Sequence, residues 1–394
     1  MSVPEPIRAA LRPAIPGLWT GRVDGDEPAL RRFHQVVRPL GADEAMAAGS
    51  VAFIGYACDE GVRRNRGRPG AAAGPDALRS ALAGLPTVSD SMRMFDLGDV
   101  AVEDVAATQD LLAKTVERAV RAGCLPVVLG GGHDLAFGSW LGVRRAREGV
   151  VGAINLDAHL DLRPVPADGP NSGTSYSQAS DECVARGGRL HYAIVGIQPT
   201  GNTRGLLDRA RSLGVEMHGR GRCGAGSLDA FLAGTDAVAF SIDLDAFSAA
   251  ASPGVSAPTS LGIVPDEHAV AFVRGLAADS RIAAIDLAEL NPSLDLDGRT
   301  ARLGASLVWH AIDARFGGRP RPRRSGSAST SAARRSRRSR SIRPVRPSGG
   351  IASRRRRATT TRRSGRSRRW SRRASENCRR KPPSASAIPA RRAR

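Results

Sequence analysis

Lysine is nearly missing from this 394-residue sequence: Lys114 and Lys381 stand alone against a combined Lys+Arg count of 59. Arginine in place of lysine to that degree is the mark of GC-rich coding. Cysteine is also sparse. Cys58, Cys124, Cys183, Cys223 and Cys378 are odd in number, far apart and without a CxxC spacing. That argues against a disulfide framework and a zinc–thiolate site, and for a reducing, cytoplasmic setting. No apolar run is long enough to span a bilayer, and the opening MSVPEPIRAALRPAIPG has no unbroken apolar core of a signal peptide, so a membrane partner is not expected. Neither GxGxxG nor GKS/GKT occurs, which leaves a phosphate-cradling loop unsupported.

Acidic residues are missing from one region only. Residues 317–394 hold 28 Lys+Arg and a single acid, Glu376, while the remainder carries 31 basic against 37 acidic groups. The formal charge of +21 therefore belongs to the tail, and the body is mildly acidic. The tail also lacks leucine and aspartate, so it cannot bury enough apolar surface to fold and is expected to be disordered. A basic nucleic-acid-binding segment is one reading. Trp370 is its lone aromatic, which is a poor stacking platform. Out-of-frame translation of GC-rich DNA fits the Arg/Ser/Pro/Ala composition better, and deletion of 320–394 is then expected to leave activity intact. The division is a domain over 1–316 and a tail over 317–394.

Within the first 316 residues, short apolar runs without polar alternation fall at 51–55, 125–129, 150–156, 191–197, 238–242 and 282–287. Helical spacing is expected over 27–37, from Gly74-Pro75-Asp76 onward, over 103–122, through Phe137, Trp140 and Leu141, and over 206–213, 266–276 and 300–316. Repeated strand–helix units with non-alternating strands imply an α/β fold with a mostly parallel sheet covered on both faces. Ligands of such sheets lie beyond the carboxyl ends of the strands.

Three of these runs end in metal-type ligands. The run 125–129 leads through Gly130-Gly131-Gly132 to His133, 150–156 leads to Asp157-Ala-His159-Leu-Asp161, and 238–242 leads to Asp243-Leu-Asp245. Residues two apart on an extended chain share a face, which would aim Asp157, His159 and Asp161 together. Unpaired buried charge is costly, so six such residues gathered at strand ends call for cations. Oxygen and nitrogen donors without sulfur favour Mn²⁺ over a structural zinc, with Fe²⁺, Co²⁺ and Ni²⁺ left open. Two ions ~3.5–4 Å apart acidify a bridging water, which points to hydrolysis. The other histidines, His34, His191, His218, His268 and His310, read as packing or surface residues. Arg63, Arg64 and Arg66, in the loop after the first strand, either bind an anionic substrate or form surface ion pairs.

The blocks GGGHD, NLDAHLD, SIDLD and AELNP resemble the signature blocks of the arginase/agmatinase/formiminoglutamase (ureohydrolase) family, and the resemblance spans roughly residues 18–316. The longer blocks WTGRVDG, CDEGVRRNRGRPGA, NSGT, GIQPTGNT, PGVSAP and AELNPSLDLDGRTARL are similar to its formiminoglutamate-cleaving branch. The resemblance implies a three-layer α/β/α domain, two Mn²⁺ per subunit, and a homo-oligomer. It implies that Asp157 and Asp243 bridge the ions, that His133 and Asp161 complete one site, and that His159 and Asp245 complete the other. It implies attack of a bridging hydroxide on the formimino carbon of N-formimino-L-glutamate, giving L-glutamate and formamide, with Glu289 orienting the amidine nitrogens. The loop Asn171-Ser172-Gly173-Thr174 lacks the histidine that arginases and agmatinases carry there, which disfavours guanidino substrates, although a guanidino acid stays open as the alternative. The branch usually has proline where this chain has Ser175. For the substrate carboxylates, Arg163 is the first candidate, with Asn171, Ser172 and Asn202 as hydrogen-bond donors.

Overall fold

The computed structural model describes residues 7, 10–13, 15–40, 44–102, 104–224 and 226–318. The tail expectation thus lies, from residue 319 on, outside the described residues.

Ten strands among the described residues form one sheet. They are β1 (Leu11–Arg12), β2 (Val37–Pro39), β3 (Val51–Tyr56), β4 (Met94–Val100), β5 (Leu125–Leu129), β6 (Val151–Leu156), β7 (His191–Val195), β8 (Glu216–His218), β9 (Ala237–Asp243) and β10 (Ile282–Ala288). The order is β1-β4-β3-β5-β10-β9-β6-β7-β8, with β2 also on β4. All pairs are parallel except β1 with β4. The central strands are buried on both faces, as continuous apolar runs require.

Alternate residues of each strand feed two cores. Val51, Phe53, Val127, Phe240 and Leu287 pack under the helices Gly74–Ala83, Glu267–Ala277 and Arg299–Phe316. Ala52, Ile54, Val128, Ala153 and Ala284 face the helices Val105–Arg121, Leu135–Ala146 and Ser175–Ala185. The result is the expected three-layer α/β/α arrangement.

Three departures from the sequence reading have physical causes. The helix expected over 27–37 is a 3-10 turn at Pro28–Leu30, a single helical turn at Phe33–Val36, and then β2. Arg31 and Arg32 between them are extended, and Val37 pairs with Met94 at the sheet edge, so strand pairing overrides the weak helical spacing. Strand β4 went unread because Asp96 and Asp99 interrupt its apolar pattern. Both are buried against Arg79, whose Nε lies 2.8 Å from Asp96 and whose Nη1 lies 2.6 Å from Asp99. The helix Ser175–Ala185 buries mostly small and hydroxyl residues, so it shows no hydrophobic period.

Candidate metal centre

The neighbours β5, β10, β9 and β6 occupy the middle of the sheet, and their carboxyl ends converge on one cavity. His133 follows β5. The glycines before it hold left-handed backbone, with φ of 72° at Gly130 and 79° at Gly131. A Cβ at Gly131 would sit 2.3 Å from the Tyr56 carbonyl oxygen, so the turn needs glycine for close packing and not for a phosphate. Beyond β6 the chain leaves the sheet at Asp157, so DAHLD is a bend and not a strand end. Its side chains converge by a turn instead: Asp157 Oδ1 accepts from the His159 amide at 2.7 Å. The same device recurs after β9, where Asp243 Oδ1 accepts from the Asp245 amide at 2.7 Å. Asp161 and Glu289 are non-glycine residues with positive φ, 47° and 68°, and both lie at the site.

All six expected ligands meet. His133 Nδ1 lies 2.7 Å from Asp161 Oδ2, 3.1 Å from Asp243 Oδ2 and 3.2 Å from Asp157 Oδ2. His159 Nδ1 lies 3.1 Å from Asp245 Oδ2 and 3.6 Å from Asp157 Oδ1. Ligand-type atoms therefore form two groups, His133–Asp157–Asp243 and Asp157–His159–Asp245, which share Asp157. Asp157 sends one oxygen to each. Asp243 joins the His133 group, and its second oxygen is held by the Asp245 amide.

The donors suit cations better than protons. Nδ1 of His133 is buried amid three carboxylates yet makes no well-directed hydrogen bond to any, and Asp245 Oδ1 is buried without a partner. On the other side of the ring, His133 Nε2 is 3.0 Å from Ser241 Oγ, and Ser241 in turn donates to Asp286. Ser241 has one proton and gives it to Asp286, so it accepts from Nε2–H and leaves the Nδ1 lone pair facing the cluster. Electrostatics agree. Burial pulls His133 down, but Asp243, Asp157 and Asp161 carry its pKa well above the usual imidazole value. Asp245, against the burial that opposes charge, pushes His159 up to about 12. Burial and Asp243 also drive Asp245 well above the carboxylate range. Cations in the cage relieve all of these. Nitrogen and oxygen donors without sulfur fit manganese.

Glu289, directly after β10, is 5% exposed and accepts from the His133 amide at 2.9 Å. Burial, with Asp243 close by, pushes its carboxyl up to about 8. Above the cluster the cavity opens to about 290 Å³, lined by Arg163, Ser172, Asn202 and Glu289 among others. Asn202 spends its amide on the backbone, donating to Ala158 and Gln198 oxygens and accepting from Leu160 N, so it frames the DAHLD bend. Asn171 does not line the cavity and folds onto its own loop, accepting from Gly173 N at 3.0 Å. Ser175 donates to the His133 carbonyl oxygen at 2.8 Å, which ties the NSGT loop to the ligand turn. His34 and His191 bond the Ala83 and Phe231 carbonyls, away from the cluster. Sequence reasoning missed Ser241 and Asp286. A serine and an aspartate inside apolar strands were the available signal, because each would need a buried polar partner.

Residues 49–313 match the Arginase family. The formimidoylglutamase of Rhodococcus opacus is 42% identical over 314 residues, covering 76% of this chain and 96% of its own. That of Nocardia farcinica is 44% identical over 306 residues, covering 75% and 95%. The crystal structure of Trypanosoma cruzi formiminoglutamase with Mn²⁺₂ superposes with a TM-score of 0.65 at 27% identity, covering 71% of this chain and 97% of that one. With its paired donor groups and this similarity along nearly the whole length of its relatives, the chain belongs to the arginase family and is a metal-dependent hydrolase.

Proposed function

We propose that the protein hydrolyses N-formimino-L-glutamate to L-glutamate and formamide with two manganese ions per subunit. The observation that carries the reading is Asp157 serving two donor groups at once, in a chain 42–44% identical to formimidoylglutamases over 95–96% of their length. His133, Asp157, Asp161 and Asp243 would hold one ion, and Asp157, His159 and Asp245 the other, with Asp243 reaching toward both. A bound pair of divalent ions acidifies water and so supplies hydroxide at neutral pH.

The remaining work falls to the chain. Glu289 is anchored by the His133 amide through one oxygen. Its other oxygen is left to accept an amidine N–H and present the formimino carbon to the nucleophile. Burial and Asp243 raise its carboxyl to about 8, and cations held by the cluster would lower it again and keep it an acceptor. In the balanced reaction water's oxygen bonds to the formimino carbon, one of its protons goes to the imine nitrogen and the other to the glutamate nitrogen, and the bond from the carbon to that second nitrogen breaks, releasing formamide and the glutamate amine.

The loop 171–174 contains no histidine, which supports a formimino over a guanidino substrate. Manganese-reconstituted protein offered formiminoglutamate, arginine and agmatine side by side tests this. Formamide from the first alone is expected; urea from either of the others would replace this reading with a guanidino hydrolase.

A further inference from the structure

Beneath the ligand residues, three neighbouring strands carry a row of polar side chains in a sheet that is otherwise apolar at that level. Asn155 on β6 is in register with Ser241 on β9, and Ser241 with Asp286 on β10. All three are buried. Asn155 and Ser241 each stand two residues before an aspartate of the cluster, Asp157 and Asp243. Ser241 and Asp286 act on His133. Asn155 acts on Asp157.

Both hydrogens of the Asn155 amide are used. It donates to Asp157 Oδ2 at 2.9 Å and to the Tyr192 hydroxyl at 3.2 Å. Its own oxygen, Oδ1, is buried with no hydrogen-bond partner among the described residues. The reversed amide would set that oxygen against the Asp157 carboxylate, so charge fixes which way it points. A buried carbonyl left unpaired is destabilising, and the position keeps an amide in spite of it. What the amide contributes is therefore its N–H groups. The Tyr192 hydroxyl accepts from Asn155 and gives its one proton to the Leu160 carbonyl at 3.1 Å. Its ring stacks on Tyr176 with centroids 4.1 Å apart, which holds the hydroxyl in place.

The other oxygen of Asp157, Oδ1, accepts from the His159 amide at 2.7 Å. One N–H donor on each oxygen fixes the plane of the carboxylate, with Oδ2 toward His133 and Oδ1 toward His159. A carboxylate free to turn can give both oxygens to the first cation that enters. The second cation is then short of a ligand. We propose that Asn155, oriented by Tyr192, is a positioning residue that holds Asp157 in its bridging pose and so lets the second cation bind. The inference rests on the two-cation reading of the site and goes beyond it, since it names the group that keeps the bridge open.

The test uses the full-length chain with Asn155→Ala, Tyr192→Phe and the pair. Manganese is titrated by calorimetry, and electron paramagnetic resonance at two equivalents per subunit separates a spin-coupled pair from isolated ions. Asn155→Ala is expected to bind the first ion within about threefold of the wild type and the second about tenfold to a hundredfold more weakly. The coupled signal should give way to that of isolated Mn²⁺. Tyr192→Phe, which removes one oxygen and keeps the stack on Tyr176, should move the second affinity the same way by a smaller factor. The double variant should lose less than the product of the two single losses, because both act through one amide. A second affinity and a coupled signal unchanged in Asn155→Ala overturn the proposal, and so does an equal loss of both ions, which is what a packing role alone would give. If Asn155→Ala does not fold, Tyr192→Phe decides by the same readouts. A wild type that holds a coupled pair, loses it in Asn155→Ala and yet releases no formamide overturns the reaction and leaves the positioning role standing.

Discussion

Asp157 offers one oxygen to His133 and the other to His159. Its replacement by asparagine therefore removes charge from both cation positions at once. Asp157→Asn is expected to bind less than one manganese per subunit and to lose nearly all activity, as measured by metal analysis and formamide release. Ser241 belongs to neither donor group, yet its contact with Nε2 decides which nitrogen of His133 is free. Ser241→Ala should lower manganese affinity by about 10- to 100-fold with the fold intact, read by metal titration. Glu289→Gln keeps its size and its contact with the His133 amide but loses its charge. It should retain both ions and lower kcat by about 10²- to 10⁴-fold with KM nearly unchanged.

At the scale of elements, strand β4 shows how burial hides a strand from its sequence. Arg79 is buried among Asp96 and Asp99, and Trp19 Nε1 donates to Asp96 at 2.7 Å. Two carboxylates in seven residues look like a loop until the arginine of another helix arrives. Arg79→Ala would leave Asp96 buried without a cation and Asp99 with the half-exposed Arg12 alone. A loss of about 3–5 kcal/mol is expected in denaturant unfolding. The same logic explains Ser175–Ala185, whose small residues pack closely and carry no apolar period. By contrast β5, β6, β9 and β10 were legible because strands covered on both faces must be apolar throughout. The ends of three of them, at His133, Asp157 and Asp243, were legible because charge there breaks the pattern abruptly.

On the whole molecule, cation binding and protons compete for the same donors. With His159 raised to about 12 by Asp245, an entering divalent cation must displace its proton at neutral pH. Folded-state pKa values above the ordinary imidazole value mean that the cation-free cluster binds more protons than the loaded one. Manganese affinity should therefore rise with pH, by about tenfold per unit for each proton released, and fall as pH drops below neutrality. Calorimetry in buffers of different ionisation enthalpy counts those protons. The match to the Arginase family ends at residue 313, and we propose that residues 317–394 contribute nothing to the reaction. Deletion of 320–394 should leave kcat/KM unchanged, and a large loss would give the tail a role.

The order of residues by itself determined which six donor-type side chains gather at the cluster, the parallel α/β class and the polarity of the site. These depend on local alternation and on charge appearing where an apolar run stops, and both are visible in one dimension. Only the tertiary structure decided that Arg66 and Arg68, but not Arg63 and Arg64, line the cavity, which nitrogen of His133 faces the cluster, and that Asn202 serves the backbone. Those turn on partners far along the chain: Ser256 for Arg68 lies 188 residues away, Ser241 for His133 lies 108, and Ala158 for Asn202 lies 44. No local pattern encodes such a pairing, because it exists only once the sheet has brought the strand ends together.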